Sequence, residues 1–255
     1  MNIWKTFSSP IFMQTIKHGN SLELIKQVPS ESINLAIIDP FFDIKPGDFQ
    51  VVIDEVLRTL HPTGTAYFFS DWKNLFRFQA ELEKTDLELL NLITWSRMSP
   101  GTNKKTYKNG REDVLWYVKD KKNYTFNKQF RKITGKQVTP YKNSDGSPRG
   151  WFYDETTGER TRWAEVSNVW CYTRPTWSAE EFTEHGMQKP LQLCDRIILT
   201  SSNEGDTVLD MFSGSGSFLV SAKRLNRKAI GFEQESRWVS LIENRLNSAF
   251  ELKNT

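Results

Sequence analysis

Residues 34–43 read Asn-Leu-Ala-Ile-Ile-Asp-Pro-Phe-Phe-Asp, an apolar run that ends abruptly at Asp39-Pro40 and two aromatic residues. A short apolar run bounded by a turn signal predicts a buried strand. Open α/β sheets bind their ligands at the carboxyl ends of such strands. We therefore expect this stretch to deliver a carboxylate, a rigid turn and flat rings to one binding site.

Strand and helix patterns alternate on both sides of this run. The helical spacing of Phe49, Val52, Ile53 and Val56, for example, follows directly after it. The predicted strands are 15–20, 34–39, 65–70, 89–96, 112–119, 207–211 and 229–233, and the predicted helices are 22–27, 48–60, 72–84, 190–202, 217–226 and 236–250. This alternation predicts an α/β fold with a doubly wound, mostly parallel sheet.

The middle of the chain differs from both ends. Periodicity fades after Lys119, and turn signals fill residues 123–183, so we expect short strands and loops there. Residues 95–177 hold about 17 Lys or Arg and about 8 Asp or Glu, whereas the rest of the chain is acidic. A basic, tryptophan-rich segment on an acidic body favours a nucleic-acid face, with a solvated basic loop as the plain alternative.

Composition restricts the class of protein only broadly. The 255 residues suffice for one large domain with an insertion, and the mean hydropathy of −0.56 is ordinary for a soluble protein. No apolar run approaches the roughly 18 residues of a membrane span, and the first residues lack a signal pattern, so we expect a cytoplasmic protein. The 2 cysteines and 3 histidines are not spaced as ligands, so no metal site is expected.

A second motif, at residues 208–217, combines a strand, a glycine turn and a helix start. Its glycines let the backbone approach a ligand, and the helix start offers free N–H groups to a carboxylate or phosphate. Glu233 follows about 19 residues after Gly214, at a strand end where a carboxylate can grip ribose hydroxyls. These features favour an adenosine-containing cofactor, with NAD and S-adenosylmethionine both open.

Several motifs together resemble the β class of DNA amino-methyltransferases. They are Asp39-Pro40-Phe41-Phe42, Gln188-Lys189-Pro190 and residues 205–217, with the catalytic motif first, which is the permuted order of that class. The resemblance covers roughly 15–120 and 185–248 and includes Glu112. It implies a Rossmann-like, circularly permuted methyltransferase fold, S-adenosylmethionine as cofactor, DNA as partner, and an inserted target-recognition module.

Domain boundaries follow from the contrast between the ends and the middle. We expect residues 1–120 to form the catalytic half, 121–184 the target-recognition insertion and 185–255 the cofactor-binding half. Residues 1–14 are expected to be an irregular lead-in to the first strand. The resemblance also makes a homodimer and a cognate restriction endonuclease candidate partners.

The resemblance assigns residues to the S-adenosylmethionine pocket. Lys189 would face the methionine end, although a surface lysine before a helix-starting proline is the plain alternative. Asn20 would accept the adenine amine or simply cap a helix, and Glu233 would take the ribose hydroxyls unless it is a plain surface residue. The implied cofactor set is Asn20, Asp39, Lys189, Asp210, Phe212, Gly214, Gly216, Ser217 and Glu233.

The resemblance makes Asp39, Pro40 and Phe42 the catalytic residues. The Asp39 carboxylate and Pro40 carbonyl would accept both amine hydrogens of the target base, and Phe42 would stack on that base once it leaves the helix. Phe41 stands where the family usually has proline, which stiffens the turn. Phe41 is then extra packing, a second base-facing ring or the mark of a weakened enzyme. Asp rather than Ser at position 39 favours adenine N6 over cytosine N4.

Basic residues between two predicted strands, next to the expected catalytic edge, are candidates for DNA contacts. They would neutralise phosphates, which makes binding dependent on salt. Four aromatic residues, Tyr107, Tyr141, Trp151 and Trp163, would fill the space of a flipped base or, more often, pack a small β-module. The candidate DNA-binding residues are Arg97, Lys104, Lys105, Lys108 and Arg111.

Functions of other classes are also compatible with the sequence. Phe41 suits a catalytically silent DNA-binding module that keeps the fold. The glycine turn with Glu233 suits an NAD-dependent oxidoreductase, but that function leaves Asp39-Pro40 and the basic middle unexplained. We therefore expect a site-specific DNA methyltransferase that acts on adenine N6, with cytosine N4 as the nearest alternative.

Overall fold

The computed structural model describes residues 5–8, 13–41, 43–97 and 105–248. Contacts divide the chain into a larger unit, Met1–Asn127 with Asn168–Thr255, and a smaller unit, Lys128–Ser167. The predicted insertion at 121–184 extends beyond the smaller unit at both ends, and its role in target recognition stays a prediction.

Twelve strands and six α-helices lie within the described residues. The strands are β1 Lys5–Ser8, β2 Met13–His18, β3 Ile33–Ile38, β4 Leu60–Ser70, β5 Glu88–Ser96, β6 Arg111–Val118, β7 Phe130–Thr134, β8 Phe152–Tyr153, β9 Arg160–Glu165, β10 Val169–Cys171, β11 Thr207–Asp210 and β12 Lys228–Glu233. The helices are α1 Ser21–Leu24, α2 Pro46–Thr59, α3 Leu75–Leu82, α4 Leu191–Ser201, α5 Ser217–Arg224 and α6 Ser236–Ser248, with 3₁₀ turns at Ile25–Gln27 and Gly135–Gln137. None of the helices in the described part of the chain is both long and apolar enough to cross a membrane.

The sheet of the larger unit is mixed, with a parallel centre. Over the described residues its strand order is β1-β2-β12-β11-β3-β4-β6-β5-β10. The central strands β2, β12, β11, β3 and β4 are parallel neighbours, and β5 also pairs in parallel with β10. Only β1 and β6 run antiparallel to their neighbours in this sheet as described. The predicted doubly wound, mostly parallel α/β fold is confirmed.

The junction between β3 and β11 determines where a ligand can bind. The chain leaves β3 towards β4 on one side of the junction and leaves β11 towards β12 on the other. Such a change of direction opens a crevice at the carboxyl ends of the two strands. Asp39 follows β3 and the glycine turn follows β11, so the fold brings the two sequence motifs to the same crevice.

The main core lies between the central strands and helices α2 and α3. All but one of the β3 residues are buried, as expected for a strand covered on both faces. Helix α2 begins with Pro46, whose missing N–H costs nothing at a helix start, and buries Phe49 together with Val52, Ile53 and Val56. The Phe49 ring stacks on Phe78 of α3 at a centroid distance of 3.9 Å.

Two elements differ from the predicted ones. The prediction of an irregular lead-in over residues 1–14 is wrong for residues 5–8 and 13–14, because Lys5–Ser8 pairs antiparallel with Met13–His18, and the rest of that range lies outside the described residues. The sheet partner, rather than any local pattern, makes this segment a strand. Strand β4 begins at Leu60 instead of residue 65, and the chain there bends closely around Gly64, where a Cβ would lie 2.7 Å from Leu60 Cγ.

The smaller unit is a three-stranded antiparallel sheet in the order β7-β9-β8. Its own small core comprises Ile133, Val138 and Trp151, with Ala164 packed against them. Trp151 therefore packs the module, whereas Trp163 on β9 is exposed. Short strands and loops were the expectation for this part of the chain, and the strands are indeed short.

Phe78 and Phe76 offer a matched test of the α3 contact. Phe78 is 2% exposed, whereas Phe76, on the same helix, is 77% exposed. We expect Phe78→Ala to lower the free energy of unfolding by about 3–5 kcal/mol, because loss of a buried ring leaves a cavity. Phe76→Ala should change it by less than about 0.5 kcal/mol. Urea denaturation followed by circular dichroism measures both values, and equal losses would contradict this packing.

Candidate active site

The carboxyl ends of β2, β3, β11 and β12 surround a cavity of about 450 Å³. Both sequence motifs, residues 34–43 and 208–217, contribute to its wall although they lie far apart in the chain. The wall includes Asn20, Asp39, Pro40, Phe41, His185, Lys189, Asp210, Phe212, Gly214, Ser217, Glu233 and Trp238.

The turn after β11 is shaped for close approach of a ligand. Gly214 and Gly216 adopt φ angles of +50° and +75°, which disfavour other residues. A Cβ on Gly216 would lie 2.7 Å from Ile242 Cγ1, so this position has no room for a side chain. Ser217 then begins α5, whose first N–H groups have no acceptor within the helix. The turn can therefore receive a carboxylate.

His185 and Trp238 form a wall beside this turn that the sequence analysis does not predict. Their rings meet edge to face at 4.8 Å, and a Cβ on Gly214 would lie 2.9 Å from His185 Cε1. Burial lowers the pKa of His185, although Glu233 acts in the opposite direction. The residues come from three distant parts of the chain, so no local pattern signals their contact.

Glu233 is fixed at the end of β12 and is not a surface residue, since it is 7% exposed. Its Oε2 accepts a hydrogen bond from the Gly214 N–H at 2.8 Å, and its Oε1 accepts one from the Glu235 N–H at 2.8 Å. Each carboxylate oxygen has a second lone pair. Glu233 can thus hold the glycine turn and still accept hydrogen bonds from a ligand.

Asn20 caps the first helix. Its Oδ1 accepts a hydrogen bond from the Leu22 N–H at 2.8 Å, so the helix-cap alternative is confirmed. Asn20 also lines the cavity. Its contact with an adenine amine stays a prediction.

Lys189 lies at the centre of a buried cluster of charges. Its Nζ is 2.6 Å from Asp39 Oδ2 and 3.1 Å from Glu112 Oε2. The surface-lysine alternative is wrong, because Lys189 is 6% exposed and its ammonium lies 5.0 Å from the centroid of the Phe69 ring. Glu112 is bound in turn by Arg97 at 3.1 Å and approached by Arg174 at 3.5 Å.

Opposing effects set the protonation of this cluster. Burial acts to raise the pKa of Glu112, but Lys189 and Arg97 outweigh it and hold that pKa below its usual range. Burial acts to lower the pKa of Lys189, but Asp39 and Glu112 outweigh it and raise that pKa. Burial raises the pKa of Asp39, and Glu112 adds to the rise, whereas Lys189 and Arg174 oppose it. The charge on Asp39 therefore depends on Lys189.

Asp210, at the end of β11, is a second buried carboxyl group. Burial raises its pKa to about 8, with a further contribution from the nearby Asp39 carboxylate, while a hydrogen bond from the Phe212 N–H opposes the rise. Asp210 is consequently protonated for the most part at neutral pH, and it adds little negative charge to the cavity.

The aromatic end of the first motif is only partly described. Phe42, the predicted stacking residue, lies outside the described residues. Phe41 is 65% exposed, and its ring meets Phe212 edge to face at 6.4 Å. Phe41 is thus a cavity-lining ring rather than a core residue, which disfavours the interpretation that it is extra packing.

The predicted DNA-binding residues do not share one environment. Arg97 differs from the expectation, because its side chain is 13% exposed and paired with Glu112 rather than open to a phosphate. Arg111 is half-exposed and pairs with the buried Asp113 at 3.1 Å. Lys105 and Lys108 are exposed, and Lys104 lies outside the described residues.

Comparison with known proteins gives a consistent result. Residues 48–244 match a family model described as DNA methylase, of the N6/N4 methyltransferase type. The chain is 32% identical over 255 residues to the DNA adenine methyltransferase YhdJ of Escherichia coli K12, covering 92% of this chain and 83% of that protein. It is 30% identical over 249 residues to the type II methyltransferase M.HpaI of Haemophilus parainfluenzae, covering 91% and 74%.

Solved structures share the fold. The crystal structure of the M1.HpyAVI–SAM complex superposes with a TM-score of 0.63 at 24% identity, covering 91% of this chain and 98% of that one. The cytosine-N4-specific PvuII DNA methyltransferase superposes with a TM-score of 0.64 at 17% identity, covering 93% of each chain. Both adopt the mostly parallel α/β fold described above.

The buried Asp210 predicts a pH-dependent stability. Between about pH 4 and about pH 8 the folded protein keeps a proton on Asp210 that the unfolded chain releases, so the free energy of unfolding falls as pH rises. Asp210→Asn removes this dependence while keeping the shape. We expect the Tm difference, variant minus wild type, to increase from about pH 5 to about pH 8.

The exposed Asp54 of α2 provides the control for that measurement. Asp54→Asn should give a Tm difference that is flat over the same range. Differential scanning fluorimetry is sufficient for both variants. A flat difference for Asp210→Asn would contradict a carboxyl group that is protonated by burial.

Proposed function

Since this chain belongs to the N6/N4 DNA methylase family, we propose that it methylates the N6 amine of adenine in DNA. The family match and the relatives establish a DNA methyltransferase, and the choice of adenine is the proposal. One observation carries it: the Asp39 carboxylate lines the cavity beside the glycine turn and is held 2.6 Å from the Lys189 ammonium.

S-adenosylmethionine is the cofactor and supplies the methyl group, and the structurally similar M1.HpyAVI was crystallised in complex with it. The residues of this chain fit it. The turn at Gly214 and Gly216 has no room for side chains, and the first N–H groups of α5, which begins at Ser217, suit the methionine carboxylate. Glu233 suits the ribose hydroxyls, and Phe212 and Asn20 suit the adenine end.

Lys189 has a different role from the one that the sequence suggests. It lines the same cavity, but its ammonium is bound to two carboxylates. We therefore propose that Lys189 binds the Asp39 carboxylate rather than the methionine end of the cofactor. In that position it opposes the rise in the pKa of Asp39 that burial causes.

The exocyclic amine of adenine is a poor nucleophile because its lone pair is delocalised into the ring. The Asp39 carboxylate and the Pro40 carbonyl are proposed to accept its two hydrogens and to favour a tetrahedral nitrogen. Alignment of that nitrogen for in-line attack on the methyl carbon then supplies much of the acceleration of methyl transfer. Asp39 accepts the surplus proton as the nitrogen becomes cationic, so the neutral amine is not deprotonated beforehand.

A base inside a duplex cannot reach Asp39, so the target must leave its helix. A flipped base needs an aromatic or apolar face in the pocket. Phe41, exposed at the cavity and edge-on to Phe212, supplies one in this chain. We propose Phe41 as a base-facing ring next to Phe42, in place of the proline usual in the family.

Two observations favour adenine as the target base: the aspartate at position 39 and the name of a relative. Members of the family that act on cytosine more often carry serine at this position, and the relative at 32% identity is named an adenine methyltransferase. The cytosine-N4-specific PvuII enzyme shares the fold at 17% identity, which carries no information on the base. Cytosine N4 is accordingly the alternative outcome of the test below.

DNA contacts are proposed for the exposed basic residues. Lys105 and Lys108 lie in the connection before β6, and Arg111 is the first residue of β6, directly before Glu112. The smaller unit carries 8 Lys or Arg and 5 Asp or Glu and is proposed to read the target sequence. Further proposals are a homodimer, a cognate restriction endonuclease, and a cytoplasmic location in a bacterial, archaeal or virus-infected cell.

Loss of the Asp39 carboxylate tests the proposal directly. Asp39→Ala should lower methyl transfer by about 10²-fold or more while DNA binding persists, because the acceptor of the amine is removed. Transfer is measured with labelled S-adenosylmethionine on mixed-sequence DNA, and modified bases are read at single-nucleotide resolution. Asp54→Ala, on the exposed side of α2, is the control that should keep wild-type activity.

The same measurement separates the alternatives. Modified adenine that depends on Asp39 supports the proposal, and modified cytosine selects the N4 activity. Wild-type levels of transfer by Asp39→Ala would sink the catalytic assignment. An absence of transfer by the wild-type protein, with DNA binding intact, identifies a catalytically silent module.

Phosphate contacts predict a change in salt dependence. The double variant Lys105→Ala/Lys108→Ala should reduce the slope of log K against log salt concentration by about 2, since each phosphate contact contributes about 0.9. Fluorescence anisotropy with a labelled duplex at several salt concentrations gives the slope. Lys26→Ala/Lys84→Ala removes two exposed lysines that lie outside the connection from β5 to β6 and serves as the control. An equal loss of slope in both double variants would contradict the assignment of Lys105 and Lys108 to phosphates.

A further inference from the structure

We infer that Glu112 positions Asp39 for methyl transfer, acting through the ammonium group of Lys189. The inference rests on the proposed role of Asp39 as acceptor of the target amine. Glu112 is 3% exposed and is not part of the cavity wall, whereas Lys189 and Asp39 both line it. Glu112 therefore has two ways to affect Asp39: through the Lys189 side chain that touches both carboxylates, and through its charge at a distance.

Lys189 provides that connection. An ammonium group has three N–H donors, and here it lies 2.6 Å from Asp39 Oδ2 and 3.1 Å from Glu112 Oε2. The rings of Phe69 and Trp95, with centroids 5.0 and 5.8 Å from Nζ, enclose it further. A long, flexible side chain is thus confined between two carboxylates from different strands of the sheet.

The segment before α4 also restricts Lys189 from its backbone. The neighbouring Gln188 accepts hydrogen bonds from the Thr183 N–H and hydroxyl at 2.8 Å each. The Leu191 N–H donates to Glu181 Oε2 at 2.8 Å. The backbone on either side of Lys189 is therefore held by hydrogen bonds within the 181–191 segment, and the two carboxylates place its ammonium.

Two arginines form ion pairs with the same carboxylate oxygen of Glu112. Arg97 Nη1 lies 3.1 Å and Arg174 Nη2 lies 3.5 Å from Glu112 Oε1, which leaves Oε2 for Lys189. Glu112 also lies opposite Trp95 in the β5–β6 register, so its backbone is fixed. A continuous chain of charges runs from the arginines through Glu112 and Lys189 to Asp39.

Removing Glu112 leaves the buried ammonium with Asp39 as its remaining carboxylate partner in this cluster. Asp39 would then be drawn towards Lys189 and away from the amine. The charges also change in a defined direction: Glu112 raises the pKa of Asp39, whereas Lys189 and Arg174 lower it, and the adjacent Asp210 is largely neutral. Loss of Glu112 and loss of Lys189 therefore shift the titration of Asp39 in opposite directions.

The test compares Glu112→Gln and Lys189→Gln with Asp113→Asn as matched control. Asp113 follows Glu112 on β6, points to the other face of the sheet, is fully buried, and pairs with Arg111 at 3.1 Å. Full-length proteins are used at saturating S-adenosylmethionine and DNA. Single-turnover rates of methyl transfer are measured from about pH 5 to about pH 9, because multiple-turnover rates often report product release.

Glu112→Gln should lower the transfer rate by about 10-fold to 100-fold through misplacement of Asp39, with the KM for S-adenosylmethionine changed by less than about 3-fold. In a plot of transfer rate against pH, the fall in rate on the acid side should move to lower pH in Glu112→Gln and to higher pH in Lys189→Gln. We call this fall the acid limb. Asp113→Asn should leave the limb where it is in the wild type. Glu112→Asp, which restores the charge, should recover part of the rate.

The outcomes distinguish this inference from the proposed function. Equal rates and equal acid limbs for Glu112→Gln and Asp113→Asn would overturn the positioning role, even if adenine is methylated. Limbs that move in the same direction in the Glu112 and Lys189 variants would also overturn it. Wild-type transfer to cytosine would overturn the adenine assignment alone, since the same comparison of variants then tests Glu112 on that base.

Discussion

The burial of one ammonium group, that of Lys189, is the constraint on which this edge of the sheet depends. Taking an ion out of water costs several kcal/mol unless partners compensate. The partners here come from four strands: Asp39 after β3, Phe69 of β4, Trp95 of β5 and Glu112 of β6. Strand order, register and the approach to α4 must all be correct together, because an error in any of them leaves a buried charge unpaired.

The same constraint explains how two aspartates can end neighbouring strands. Asp39 follows directly after β3, and Asp210 is the last residue of β11. The two strands pair directly, so two ionised carboxylates would repel each other there. The structure resolves this by giving them different environments. Asp39 has the Lys189 cation beside it, whereas Asp210 is buried and keeps its proton. The two carboxyl groups can therefore lie at neighbouring strand ends without two uncompensated negative charges.

Much of this architecture follows from local pattern, but the charge cluster does not. The apolar run of β3, the apolar stripe of α2 and the glycine turn each lie within one short stretch of sequence, so they can be recognised locally. Parallel strands then bring Asp39 and Glu233 to one edge of the sheet. Arg97 is different: in sequence it precedes a lysine-rich loop, and only the pairing of β5 with β6 shows that it binds Glu112. Lys189 likewise cannot be told from a surface lysine until the fold encloses it. Its partners are set by tertiary contacts, which a single sequence does not encode locally.

The junction of β3 with β11 has a consequence for how the chain assembles. The Thr207 N–H bonds to Asn34 Oδ1 across 173 residues of chain, and Gln14 bonds to the Arg227 carbonyl across 213. During synthesis, β3 and β4 precede β11 and β12, which complete the centre of the sheet, by a long stretch of chain. The edge of β3 that pairs with β11 therefore has no partner at first, and pairing between segments so far apart in sequence is slow. The strand order that brings the glycine turn beside Asp39 therefore leaves that edge of β3 open until β11 has been synthesised, and an open edge of an apolar strand favours aggregation.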